Sequence, residues 1–175
     1  MGSQPFETFV TAHHPEIHRY LLRITGRSTE AEDLSQETFL RAYRAYRALP
    51  EDANVRAWLF AIATNLHRNH LRSAKRRSLA HEAVRATRVE AATEEPDGVT
   101  IFHETRGVIE GAVARLPFKQ RTAFVLRKIH DLDYDAIARS LDCSAESARA
   151  HVFLALRKIR QSLNGHGLPV TEVSR

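Results

Sequence analysis

Cysteine is nearly absent from this chain: Cys143 is the only one in 175 residues. No disulfide can close within the chain, which suits a reducing compartment. No apolar run approaches the ~18 residues that a membrane span needs. The opening Met1-Gly2-Ser3-Gln4-Pro5-Phe6-Glu7 has neither the basic stretch nor the apolar core of a secretory leader. Glycine and proline are scarce, at 7 and 6, and long alternations of Val, Ile and Thr are missing. The composition therefore leans helical, and a cytoplasmic all-α protein without membrane insertion is expected.

What is present is positive charge. The formal net charge is +5, which favours a polyanionic partner without saying how it is read. Apolar residues recur at helical spacing in Phe6, Phe9, Val10, His13, Ile17, Tyr20, Leu21 and Ile24, with Gly26 as the stop. Thr29 with Glu32 reads as a capping box for a second helix running to Tyr46. Leu49 to Asn54 reads as a loop. A third helix carries Val55, Trp58, Leu59, Ile62 and Leu66 on its apolar stripe. From Ser78 to Val99 the composition turns to Ala, Glu and Thr, the best domain boundary. Periodicity returns with Val108, Ile109, Ala112, Val113 and Leu116. Pro117 then opens a helix bearing Ala123, Phe124, Leu126 and Ile129. The expected architecture is two small helical domains, 1–77 and 105–164, joined by a flexible linker, 78–104, with a disordered tail, 165–175.

Each expected domain carries a basic helix. In the second, Asp133 can cap a short helix ending at Leu141, Asp142-Cys143-Ser144 makes a tight turn, and Ser144 can cap a long helix. This is helix-turn-helix spacing. The long helix is expected to bury Ala148, Val152, Leu156, Ile159 and Leu163. Its other face shows Arg149, Phe153, Arg157 and Arg160, placed to enter a major groove, where Arg bonds guanine edges and Phe meets a thymine methyl. A solvated basic face fits the same spacing. In the first domain Asn65, Arg68, Arg72 and Lys75 fall on one line of the third helix. There an amide can read a base edge while the cations hold phosphates, though a plain solvent-exposed residue also fits Asn65.

Three strings carry a family resemblance. Ala31-Glu32-Asp33-Leu34-Ser35-Gln36-Glu37-Thr38-Phe39-Leu40-Arg41-Ala42-Tyr43 resembles the core-binding helix in region 2 of bacterial sigma factors. Arg56-Ala57-Trp58-Leu59-Phe60-Ala61-Ile62-Ala63-Thr64-Asn65, followed by His70-Leu71-Arg72, resembles their melting and −10-reading helix. Leu116-Pro117, Gln120-Arg121 and Asp133-Tyr134-Asp135-Ala136-Ile137-Ala138 resemble region 4. With only these two blocks, the chain resembles the extracytoplasmic-function (ECF) class, over about residues 5–77 and 105–163.

The resemblance implies a function: binding core RNA polymerase, reading −35 and −10 promoter elements and helping to melt DNA. By position, Asp33, Gln36, Glu37, Phe39 and Arg41 would grip the clamp coiled coil of the polymerase β′ subunit, and region 4 would meet the β flap. Leu49, Pro50, Asp52 and Asn54, with Asn65, Arg68, Arg72, Lys75 and Arg76, would handle the −10 element. Ser144, Glu146, Ser147, Arg149, Ala150, Phe153, Leu154 and Arg157 would meet the −35 element. An anti-sigma factor is an implied partner. Trp58 matches an aromatic of the family, while its spacing favours core packing. The recognition helix departs from the family where His151 and Leu154 replace commonly basic residues.

The ten histidines invite a metal hypothesis, with His13, His14 and His18 close together and His67 and His70 one turn apart. No cysteine or acidic residue stands at zinc spacing from them, so no metal and no cofactor are expected. For the same reason a metal-dependent nuclease built on His67, Asn69 and His70 is disfavoured, and the chain is not expected to be an enzyme. Cys143 reads as small packing rather than a redox switch. The competing function is a helix-turn-helix regulator that works without polymerase, in which Asp33 and Glu37 would have no role.

Overall fold

The structure is a computed structural model that describes residues 5–82 and 101–165. The core of the expected linker and nearly all of the expected tail lie outside the described residues. Among those described, seven α-helices and one short 3₁₀ turn account for all regular structure. They are α1 (Phe6–Thr25), α2 (Ser28–Ala45), the turn Tyr46–Ala48, α3 (Val55–Glu82), α4 (Ile101–Ala114), α5 (Phe118–Lys128), α6 (Tyr134–Leu141) and α7 (Ala145–Gly165).

The helix ends follow local chemistry. Gly26 ends α1 in the left-handed conformation, φ 69°, and its N–H donates to the Leu22 carbonyl. Asn54 caps α3 by accepting from Ala57 N at 2.9 Å. Asp133 caps α6 by accepting from Ala136 N at 2.7 Å, and Ser144 caps α7 by accepting from Ser147 N at 3.1 Å. The expected capping box does not form. Arg27 is the N-cap of α2 and offers no side-chain bond, so Thr29 lies inside the first turn, and Thr25 Oγ1 accepts from Arg27 N at 3.2 Å instead.

The first three helices enclose Phe9, Ile17, Tyr20, Leu21, Ile24, Leu34, Phe39, Leu59, Phe60 and Leu66. In the C-terminal half, α5, α6 and α7 enclose Val125, Leu126, Ile137, Leu141, Ala148 and Val152. Each such side chain contributes on the order of 1.5–3 kcal/mol when buried. These two sets form one continuous core, because α6 packs along α3 and α5 against α1. A smaller cluster, Ala112, Leu116, Ala155 and Ile159, joins α4 to α7.

The inner face of α7 differs from the expected one by a small rotation. Ala155 is fully buried, whereas Leu156 is 38% exposed. Ala155 allows the close approach of α4 and α5 that a leucine there would block. Beyond Arg77, where the apolar pattern weakens, α3 continues to Glu82, and α4 starts already at Ile101. Trp58 is half-buried against the core, and so is Cys143.

Candidate polymerase and nucleic-acid interfaces

The helix-turn-helix is set by Asp142, whose φ of 54° turns the chain sharply between α6 and α7. Cys143 N then bonds back to the Ala138 carbonyl. The outer face of α7 carries Glu146, Arg149, Ala150, Phe153 and Arg157, all exposed, with Ser147 and Leu154 half-buried at its edge. Ser144 is exposed but committed to the cap. Phe153 is 64% exposed, an uncommon state for so large an apolar ring. The Arg149 guanidinium lies 5.1 Å from the centre of the Tyr134 ring, and Arg127 lies 5.1 Å from the same ring. Tyr134 thus orients the recognition-helix arginine. The sequence reading missed this pairing, because nothing in the spacing links residues 127, 134 and 149.

On α2, Asp33, Gln36 and Arg41 are exposed, and Glu37 is half-buried with its carboxylate 2.8 Å from Arg41 Nε. Phe39 is buried at 7% exposure, so it supports this face from beneath and cannot touch a partner directly. Leu40 and Tyr43 stand out instead, 53% and 63% exposed. With Gln36 they fall on one strip by i, i+4, i+7 spacing. They are readable from sequence as apolar residues off the buried stripe of Leu34, Thr38 and Ala42. A face that sets the carboxylates of Asp33 and Glu37 beside exposed Leu40 and Tyr43 suits a protein partner better than DNA.

The −10 candidates divide into two sets. Arg72, Lys75 and Arg76 on α3 are exposed, as are Pro50 and Asp52 in the loop, with Leu49 half-buried. Asn54 has its amide oxygen engaged in capping α3. Asn65 and Arg68 are half-buried and bonded to each other, and Arg68 Nη1 reaches the Leu141 carbonyl of α6 at 3.4 Å. The C-terminal half therefore covers part of the α3 basic face.

Four further residues, Glu16, Arg56, His130 and Arg121, hold the halves together, and their pairing was not visible in the sequence. Arg56 Nε donates to both carboxylate oxygens of Glu16, at 3.1 and 3.0 Å, and its other arm reaches the His130 carbonyl. His130 Nδ1 lies 3.1 Å from the same carboxylate, while its Nε2 is buried without a partner. Burial, chiefly, holds His130 below the usual imidazole range, so it is neutral and its Nδ1–H donates to Glu16. Burial alone would raise Glu16, but the bonds and charge of Arg56 and His130 outweigh it and hold that carboxyl low. Arg121 spans the seam elsewhere, donating to Ile24 O at 2.9 Å, to Leu116 O at 3.0 Å and to Ala114 O. Burial also pushes His67, on the α3 side of the seam against the Phe118 ring, down to about 4.

The Sigma-70 region 2 family matches residues 9–77, and the Sigma-70 region 4 family matches residues 106–159. The ECF RNA polymerase sigma-E factor of Escherichia coli K12 is 30% identical over 139 residues, 75% of this chain and 73% of that one. The chain belongs to the ECF sigma factors. The RNA polymerase sigma-H factor of Pseudomonas aeruginosa is 28% identical over 165 residues, covering 90% of this chain and 86% of its own. Among solved structures, the fold is similar to the sigma factor RpoE of Bartonella quintana, crystallised with the anti-sigma factor NepR. That match has a TM-score of 0.73 at 20% identity, over 91% of this chain and 96% of that one.

As an ECF sigma factor, the chain gives RNA polymerase its promoter specificity, binding the core enzyme and promoter DNA. The alternative of a polymerase-independent regulator is not favoured, since the region 2 match spans the helices such a regulator would not need. Members of the family are not enzymes in general. Among the described residues, no helix is long and apolar enough to cross a membrane.

Proposed function

We propose that the sigma factor works through three separate faces, and that it must open to use one of them. Asp33, Gln36, Glu37 and Arg41 on α2 bind the β′ clamp coiled coil, with Leu40 and Tyr43 adding apolar contact and Phe39 holding the face in place. Glu146, Arg149, Ala150, Phe153, Leu154 and Arg157 on α7 read the −35 element, with Ser144 and Ser147 at the helix start. Loop 49–54, with Asn65, Arg68, Arg72, Lys75 and Arg76, engages the −10 element and traps unstacked bases. Residues 1–77 and 105–164 act as the two working units, region 4 also meeting the β flap. The chain itself performs no bond chemistry; it works in the cytoplasm on the polymerase that does.

The observation that carries this reading is the engagement of Arg68 and Asn65 at the seam beside an unobstructed α7. Promoter elements about 25 base pairs apart lie ~85 Å apart along B-DNA. A compact chain of this length has a radius of gyration of only about 16 Å. Both elements can be reached at once only after the halves separate along the Glu16–Arg56–His130 and Arg121 contacts. An anti-sigma partner of the kind bound to the Bartonella relative fits the same logic, docking on the exposed apolar and basic surfaces of both halves.

The test is transcription from genomic fragments with core RNA polymerase, mapping RNA 5′ ends. Discrete starts sharing two upstream motifs are expected, and Asp33→Lys with Glu37→Lys should abolish them while leaving helicity intact. Footprints by the chain alone, with no polymerase-dependent starts, would overturn the reading.

A further inference from the structure

A cluster that borders the polymerase-binding face of α2 joins α2 to α3. Glu30 sits in the first turn of α2, and His67 and His70 leave the same side of α3 one turn apart. Glu30 Oε1 lies 2.9 Å from His70 Nδ1 and 3.4 Å from His67 Nδ1. All three candidate ligand atoms fall within 4.8 Å of one another. His67 is only 3% exposed, and its Nδ1 is buried without a hydrogen-bond partner while facing the carboxylate. Its nearest polar neighbour is that carboxylate, held at 3.4 Å without a well-formed hydrogen bond, an uncommon state for a buried ring nitrogen.

The sequence offered only two of the three groups. Glu30 is 37 residues before His67 in the chain, and the packing of α2 on α3 supplies the acidic partner. The recess beside the cluster is lined by Arg27, Thr29, Glu30, Asp33, Leu34, Glu37 and His70, so three carboxylates face one guanidinium there. Arg121 is the other cation near enough to act on His67. Its guanidinium is engaged by the three carbonyls it bonds.

We propose that Glu30, His67 and His70 form a binding site for a divalent transition metal of the zinc class. Metal–ligand bonds of about 2.0–2.1 Å in a tetrahedron place ligand atoms ~3.3 Å apart, and the two distances to Glu30 Oε1 bracket that edge. Two imidazoles and one carboxylate favour zinc, cobalt or nickel over magnesium or calcium, which prefer all-oxygen shells. The fourth position opens through the half-exposed His70 side to the recess, where water completes the shell. Occupancy would clamp the start of α2 to the middle of α3. The site does not depend on the promoter-reading assignments and is testable without transcription.

The experiment uses the full chain without an affinity tag, stripped by a chelator and titrated with Co²⁺, then with Zn²⁺ in competition. One equivalent of Co²⁺ should develop visible d–d absorption, which Zn²⁺ quenches, and Zn²⁺ should raise Tm. His70→Gln and Glu30→Gln should each lower the affinity at least 10-fold, since losing even a group that only supports a ligand costs roughly 10–100-fold, whereas His14→Gln should leave it unchanged. Imidazole ¹⁵N spectra of the unmodified protein provide a readout that needs no variant: Zn²⁺ should shift the His67 and His70 signals and leave those of His13, His14 and His18 in place. Absent d–d bands, binding that survives His70→Gln, or shifts confined to the other histidines would overturn the site.

Discussion

Helices α3 and α7 both carry arginines at helical spacing, but they meet solvent differently. On α7 the outer face is unobstructed, and its leading arginine is steered by Tyr134. On α3 the distal cations Arg72, Lys75 and Arg76 are exposed, while Arg68 reaches α6 and holds Asn65 beside it. Similar sequence patterns thus yield one face ready for a duplex and one whose use requires a rearrangement. Charge periodicity specifies what a helix can bind; tertiary packing decides when.

Four experiments would break or sharpen this contrast. The largest effect is expected at the open face. Arg149→Ala combined with Phe153→Ala should weaken promoter binding by region 4 by about 1–3 kcal/mol per lost base contact, or roughly 5–150-fold each. Gel shifts with duplexes altered at the −35 element would show it, and unchanged affinity would remove α7 from recognition.

Next comes the seam. Arg121→Ala removes three carbonyl partners at once, at about 1.5–3 kcal/mol for a charged hydrogen-bonding group of this kind. A fall in Tm of roughly 3–12 °C follows for a chain of this size, together with a larger radius of gyration in solution scattering. An unchanged radius would mean that other contacts hold the halves closed.

Acidification should act in the same direction more gently. His130 binds its proton less readily in the folded state, so its contribution fades as pH falls below ~6.5, the unfolded imidazole value. His67, pushed down to about 4, adds a loss of the same sign over the same range. Glu16 is held low, so its contribution persists above the unfolded carboxylate value of ~4.3 and is lost as pH falls through its lower folded value. Arg56 and Arg23 face His130 and resist its protonation throughout. Amide exchange along the α1–α5 contact should therefore speed up between pH 7 and 5, relative to the interior of α7 and after correction for intrinsic rates. Equal protection at both pH values would remove these histidines from the closure.

The smallest effect is expected from Arg68→Ala. Its bond to Leu141 O, at 3.4 Å, is long, so closure should weaken by less than about 1 kcal/mol. Loss of one phosphate contact should lower the salt slope of promoter binding by about 0.9. A change in scattering without any change in salt slope would assign Arg68 to the seam alone.

Much of the architecture was legible because it is local. The Gly26 stop, the Asp133 and Ser144 caps and the apolar stripe of α1 each depend on neighbours within a turn or two. The capping box at Thr29 failed because Thr25 offered Arg27 N a competing oxygen and the helix began earlier. Leu156 was misplaced because neighbouring positions of α7 compete to face the core, and the approach of α4 and α5 favours small Ala155. The seam was illegible for a different reason. Glu16, Arg56 and His130 are 40 and 74 positions apart along the chain, and no periodicity joins them. Glu30 stayed unlinked to His67 and His70 for the same cause.

The Glu16–Arg56–His130 contact also constrains how this chain can diverge. Its three members come from α1, α3 and the turn after α5, and each supplies charge or geometry the others need. Losing Arg56 alone strands a half-buried carboxylate, and losing Glu16 alone leaves His130 Nδ1–H as unpaired as its Nε2. Across related sequences these positions should therefore covary as a set, exchanging together or not at all, and a lineage that drops one should be found to have relinquished the others.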